Sequence, residues 1–104
     1  MPKILLTGFE PWDNWSHNPS GEIAKALDGA RIGGYDIVSA VIPVAYGEDI
    51  ARVRPLMAEH RPLAVVSLGL HGSASSIHVE RVAHNLRGRN EEEQPICVEG
   101  PAAY

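Results

Sequence analysis

The chain has 104 residues, 44% of them apolar and 21% charged, and a formal net charge of -4. That length excludes more than one compact domain. The composition excludes a disordered chain, and no apolar run approaches the ~18 residues a membrane span requires. Surface scaling gives roughly 65% burial of the unfolded chain's surface, enough for one core of modest stability. The charge is uneven, because residues 1 to 90 balance nine acids against nine Lys or Arg, whereas residues 91 to 104 add Glu91, Glu92, Glu93 and Glu99 with no base. A nucleic-acid binder needs a basic patch or stripe, and none is present. The opening Met1-Pro2-Lys3-Ile4-Leu5-Leu6 turns polar at Thr7-Gly8, too soon for a signal peptide. With a single cysteine, Cys97, no internal disulfide can form, and the expected compartment is the cytoplasm.

The first element is Lys3 to Thr7, a short apolar run closed by Gly8, and it predicts a buried strand. Asn18-Pro19 then reads as an N-cap followed by proline in the first helical position. Ile23 and Leu27 lie one turn apart, and Gly29 is the terminator. Gly33-Gly34 is an ordinary turn, with no strand expected before it and no helix after it, and is not a phosphate loop. Asp36 to Pro43 is β-branched and stopped by proline, which predicts strand two. Helix two is expected over Glu48 to His60, with Ile50, Val53 and Met57 on one face and a kink near Arg54 or a split caused by Pro55. Leu63 to Leu70 predicts strand three, and Ile77 to Ala83 a weaker strand four. Alternating strands and helices imply a doubly wound, mostly parallel α/β sheet covered by helices on both faces. No helix follows strand four, so Val65, Leu68, Ile77 and Val79 are expected to be partly uncovered.

Chemistry in open α/β sheets gathers beyond the carboxyl ends of the strands. The loop Gly8-Phe9-Glu10-Pro11-Trp12-Asp13-Asn14 leaves strand one at that end and carries two aromatics. They either wall a small flat pocket or pack beneath the loop. Glu80, taken alone, reads as a surface strand carboxylate paired with Arg81 or Arg89. His78, Glu80 and His84 share strand parity and could offer metal ligands. His71 beside Ser73, Ser75 and Ser76 could suggest a serine hydrolase, but no G-x-S-x-G elbow is present.

Thr7-Gly8-Phe9-Glu10-Pro11-Trp12 followed by Asn18-Pro19-Ser20 resembles the opening of the type I pyroglutamyl peptidases, cysteine peptidases that remove an N-terminal pyroglutamate from peptides. Ile42-Pro43-Val44 resembles that family's Pro-Val segment. The stretch Gly69-Leu70, Gly72, Ile77, Val79-Glu80-Arg81-Val82-Ala83 and Asn85 resembles the surroundings of its active-site glutamate, and Gly100-Pro101 continues the match. The resemblance implies a phosphorylase/hydrolase-like α/β fold, with residues 1–104 forming a single α/β domain that is the N-terminal part of a larger peptidase domain. It makes Glu80 the acid of a Cys-His-Glu triad and gives the substrate pocket to Phe9, Trp12, Asn18 and Leu70. It implies no cofactor and no metal.

The expected partner is a peptide with an N-terminal pyroglutamate, not a nucleic acid or a membrane. Homo-oligomerisation, or association with the C-terminal part of the domain, is also expected. In the family the nucleophilic cysteine and the histidine lie well beyond the position of Tyr104. Cys97 matches neither, and its place between Ile96 and Val98 predicts a small buried hydrophobe. His78 stands where the family usually has Ser or Thr, Trp12 where it has Phe, and Ser73-Ala74 where it often has Gly-Arg. Arg89 is one place out of register with a family arginine. The alternative reading is a non-catalytic pyroglutamate-binding or assembly module.

Overall fold

The computed structural model describes residues 2–12 and 15–83, together with the backbone of 86–87 and 94–95. Two compact units are present, Met1–His71 and Gly72–Tyr104.

In the first unit, β1 (Lys3–Phe9), β2 (Arg31–Ile32), β3 (Tyr35–Ile42) and β4 (Ala64–Ser67) form one sheet in the order β2-β3-β1-β4. β1 runs parallel to both neighbours, with Leu5 opposite Val38 on one side and Val65 on the other. α1 (Pro19–Leu27) connects β1 to β3, and α2 (Glu48–His60) connects β3 to β4. The first connection moves to one side of β1 and the second returns across it. Because parallel crossovers are right-handed, this reversal sends the two helices to opposite faces. The result is the doubly wound, mostly parallel α/β arrangement expected from the alternation of elements. β1, central and covered on both faces, is the most buried strand. Leu5 is fully enclosed, and Ile42 at the end of β3 is nearly so. Each such side chain contributes about 1.5–3 kcal/mol by leaving water.

Several local features differ from the sequence expectation. β1 extends two residues past Thr7 because Gly8 and Phe9 pair with Val41 and Ile42. A strand does precede Gly33-Gly34, since Arg31–Ile32 pairs antiparallel with the start of β3. Both glycines have positive φ, 58° and 84°, and positive φ at both central residues is the requirement of a tight hairpin turn. Pro55 does not split α2, which runs unbroken from Glu48 to His60. Its half-buried side is Ile50, Val53, Leu56 and His60, and Met57 is exposed.

The inner face of α1 is a further difference. Ile23 is exposed, and the buried residues are Ser20, Gly21 and Ala24. Small residues face the sheet because the helix lies almost on it. A Cβ at Gly8 would fall on the Ser20 main chain, and one at Gly21 would fall on the Phe9 carbonyl oxygen. At its other end α1 is tied down by Gly29 N–H donating to Ile37 O at 2.9 Å and by Ser39 N–H donating to the Asp28 carboxylate at 2.8 Å.

β4 is shorter than the predicted Leu63 to Leu70 run. Val65 and Val66 are exposed, and Leu68 is half-buried. In the second unit the predicted strand over Ile77 to Ala83 does not form. These residues are irregular and exposed, with Ile77 and Val79 almost fully open, and no described neighbour offers them a ladder. Leu86–Arg87 (β5) instead pairs antiparallel with Gln94–Pro95 (β6). No described helix is long and apolar enough to cross a membrane. His84, Asn85, Arg89, Glu91 to Glu93, Cys97 and Gly100-Pro101 lie outside the described residues.

Candidate functional site

Reversal of the winding direction creates a topological switch point between the carboxyl ends of β1 and β4, where open α/β sheets bind ligands. The segment after β4 leaves the sheet beside the end of β1, and Leu68 N–H donates to Thr7 O at 2.8 Å. The hydroxyl of Thr7 also donates to that of Ser67 at 3.1 Å. Phe9, at the end of β1, and Leu70, three residues past β4, therefore lie at the same end of the sheet. The loop carrying Trp12 and the N-terminus of α1 with Asn18 belong to the same end of the sheet.

Phe9 is half-buried, and Trp12 is 40% exposed. An indole that open is not enclosed in the core. Trp15 is similarly exposed, and its main-chain N–H donates to Trp12 O at 3.1 Å.

The loop is held from beneath by a closed polar network. Asn18, only 2% exposed, caps α1 by accepting the Ser20 N–H at 3.0 Å on Oδ1. The same oxygen accepts the Ser20 hydroxyl at 2.7 Å. Because that hydroxyl donates to Asn18, its oxygen is free to accept the Phe9 N–H, at 2.9 Å. Asn18 Nδ2 donates to Glu10 O at 3.2 Å, and Glu10 N–H donates to Ile42 O at 3.0 Å. Buried polar groups are costly unless paired, and here they pair with one another. Ser20 was quoted in the sequence only as part of a motif. Its hydroxyl role depends on how closely α1 approaches β1, which residue spacing does not reveal.

This bonding also determines which main-chain groups remain for a ligand. The N–H groups of Phe9, Glu10 and Leu68 are occupied. Gly69 is exposed with open space where a side chain would be, and Leu70 beside it is half-buried.

Glu80 lies in the second unit, exposed and in irregular backbone, as is Arg81. Ser73, Ser75 and Ser76 are exposed. The described residues bring together no group of three or more His, Cys, Asp or Glu able to hold a metal ion, and His84 of the alternative ligand set lies outside them. A shallow cleft of about 190 Å³ between α1 and β3, lined by Ala24, Lys25, Asp28, Ser39, Ala40 and Val41, contains none of the candidate site residues.

Comparison with known proteins follows the same path. The family model described as pyroglutamyl peptidase matches residues 2–104. Pyrrolidone-carboxylate peptidase 1 of Ralstonia nicotianae is 38% identical to the chain, covering 100% of it and 52% of the relative. Pyrrolidone-carboxylate peptidase of Yersinia pestis is 36% identical with the same coverage. Among solved structures, Bacillus amyloliquefaciens pyroglutamyl peptidase I superposes with a TM-score of 0.89 at 36% identity, over 100% of this chain and 54% of that one. Pyrrolidone carboxyl peptidase from Thermococcus litoralis gives a TM-score of 0.91 at 33% identity, over 100% of this chain and 51% of that one. The chain spans about half the length of the curated relatives it matches.

Proposed function

Because the chain belongs to the pyroglutamyl peptidase family, we propose that it supplies the substrate pocket and the orienting acid of a cysteine peptidase that removes N-terminal pyroglutamate from peptides. The observation that carries this is the placement of Phe9 and Trp12 at the switch point, on a loop pinned by Asn18 and Ser20. The pyroglutamyl ring is small, flat and neutral. Two aromatic walls suit its faces, and the lactam N–H and C=O call for main-chain partners, which Leu70 is suited to provide. A free prolyl terminus carries a positive charge, and an apolar slot of this kind disfavours it. Asn18 contributes by holding the loop.

In the proposed reaction a cysteine thiolate attacks the pyroglutamyl carbonyl. An imidazole first takes the thiol proton and then gives it to the departing amine, and water resolves the thioester. Glu80 orients that imidazole. By the family resemblance the cysteine and the histidine fall at positions beyond Tyr104, so the pocket and the acid are assigned to residues 1–104 and the nucleophile is not. The relatives named above are peptidases, which favours an enzyme over a non-catalytic binding module. We further assign it to the cytoplasm, on the reading of its single cysteine. Association of the β4 edge with a second copy or with the rest of the domain completes the proposal. It is supported by the exposed Val65 and Val66.

Reading the gene past the Tyr104 codon, together with hydrolysis of a chromogenic pyroglutamyl amide, tests the reading. An in-frame cysteine and histidine, with turnover by the whole product that Cys97→Ser leaves unchanged, supports it. Turnover by the 104-residue chain that Cys97→Ser abolishes contradicts the assignment.

A further inference from the structure

We infer that Ser20 is a positioning residue for the pocket wall, setting where Phe9 stands by holding its main chain against the first turn of α1. The inference rests on the pyroglutamyl reading of the pocket. Ser20 is 3% exposed, so its hydroxyl does not meet substrate and acts through Phe9. The hydroxyl is fully committed: it donates to Asn18 Oδ1 at 2.7 Å and accepts the Phe9 N–H at 2.9 Å. The wall is gripped from a second point, where Asn18 Nδ2 donates to Glu10 O at 3.2 Å.

Phe9 is the last residue of β1, and Trp12 follows on an exposed loop. The position of the aromatic wall therefore depends on the helix turn that bonds Phe9 and Glu10. The device requires near contact between helix and strand. Gly8 and Gly21 permit it, since a Cβ at either would collide with the main chain of Ser20 or Phe9. A hydroxyl is the group this spot needs. Alanine leaves the Phe9 N–H with no acceptor in a part-buried place, and a longer polar side chain does not fit beneath the strand.

The test compares Ser20→Ala with a control, Asp28→Ala, which removes the acceptor of the Ser39 N–H at the far end of α1. Two quantities are measured on folded protein: the hydrogen-exchange rate of the Phe9 amide and the affinity for pyroglutamyl amide. Ser20→Ala is expected to accelerate Phe9 exchange and weaken binding about tenfold, the scale of one unsatisfied buried donor. Asp28→Ala leaves both near wild type. If Ser20→Ala does not fold, Ser20→Cys, with a weaker acceptor of similar size, is expected to move both readouts in the same direction. Affinity within twofold of wild type despite faster Phe9 exchange overturns the inference, as does an equal loss in Asp28→Ala. Absence of pyroglutamyl amide binding by wild type instead refutes the functional reading. The Phe9 exchange rate then still decides whether Ser20 holds the strand end.

Discussion

Gly8 of β1 and Ser20 of α1 approach so closely that no side chain fits between them, since a Cβ on Gly8 would fall on the Ser20 carbonyl. The contact fixes the angle at which the helix leaves the site loop. Gly8→Ala is therefore expected to destabilise the fold by about 2–3 kcal/mol, because main chain rather than a flexible side chain has to yield. Gly69→Ala, where an added Cβ meets nothing within 4 Å, should stay within about 0.5 kcal/mol of wild type. Urea unfolding of the two variants measures the contrast, and a Gly8→Ala protein as stable as wild type would remove the close-approach argument.

Trp12 tests whether the loop aromatics serve a ligand. With 40% of its surface exposed, its truncation removes little packing. Trp12→Ala should cost less than about 1 kcal/mol in unfolding free energy, while weakening pyroglutamyl amide binding, or raising KM in the active enzyme, about tenfold or more. A large stability loss with unchanged binding would assign Trp12 to packing.

Glu80 separates the triad reading from the metal reading. In the active enzyme, Glu80→Gln should lower kcat at least about a hundredfold, because the imidazole loses its orienting charge. An exposed side chain contributes little to folding, so the unfolding free energy should move by no more than about 0.5 kcal/mol. A chelator should change neither activity nor melting temperature, and a loss of either on chelation would favour metal ligation.

The β4 edge carries Val65 and Val66 in exposed positions. Unpaired strand edges with apolar side chains recruit other strands. Sedimentation velocity of the 104-residue chain should show concentration-dependent association that Val66→Lys diminishes. A tight monomer at high concentration, with no binding of a dye for exposed apolar surface, would count against an edge open to a partner.

Elements with strong local punctuation were legible in the sequence. Asn18-Pro19 marked the start of α1, and the bounds of α2 coincide with the predicted Glu48 to His60. The parallel strands announced themselves as apolar runs, although of these only the central β1 is well buried. What was not legible depends on contact between elements. Apolar spacing placed Ile23 inward, but the near contact with β1 admits only Ser20, Gly21 and Ala24. The Arg31–Ile32 strand is too short to carry a period, and only the Gly33-Gly34 turn betrayed it. Ile77 to Ala83 has strand-forming residues and no ladder among the described residues, because pairing depends on a neighbour rather than on propensity. In the candidate site, the sequence singles out Phe9 and Trp12 by their place at and beyond the end of a strand. The function of Ser20 was not legible, because it arises from a hydrogen bond to a residue eleven positions away.

The most direct test of the central claim is an NMR titration of the chain with pyroglutamyl amide, and with prolinamide in parallel. The account predicts saturable shifts of the Phe9 and Leu70 amides and of the Trp12 indole N–H with the lactam, and none with the charged proline analogue. Absence of shifts at these groups, or equal shifts with both compounds, would contradict a pyroglutamyl pocket at this switch point.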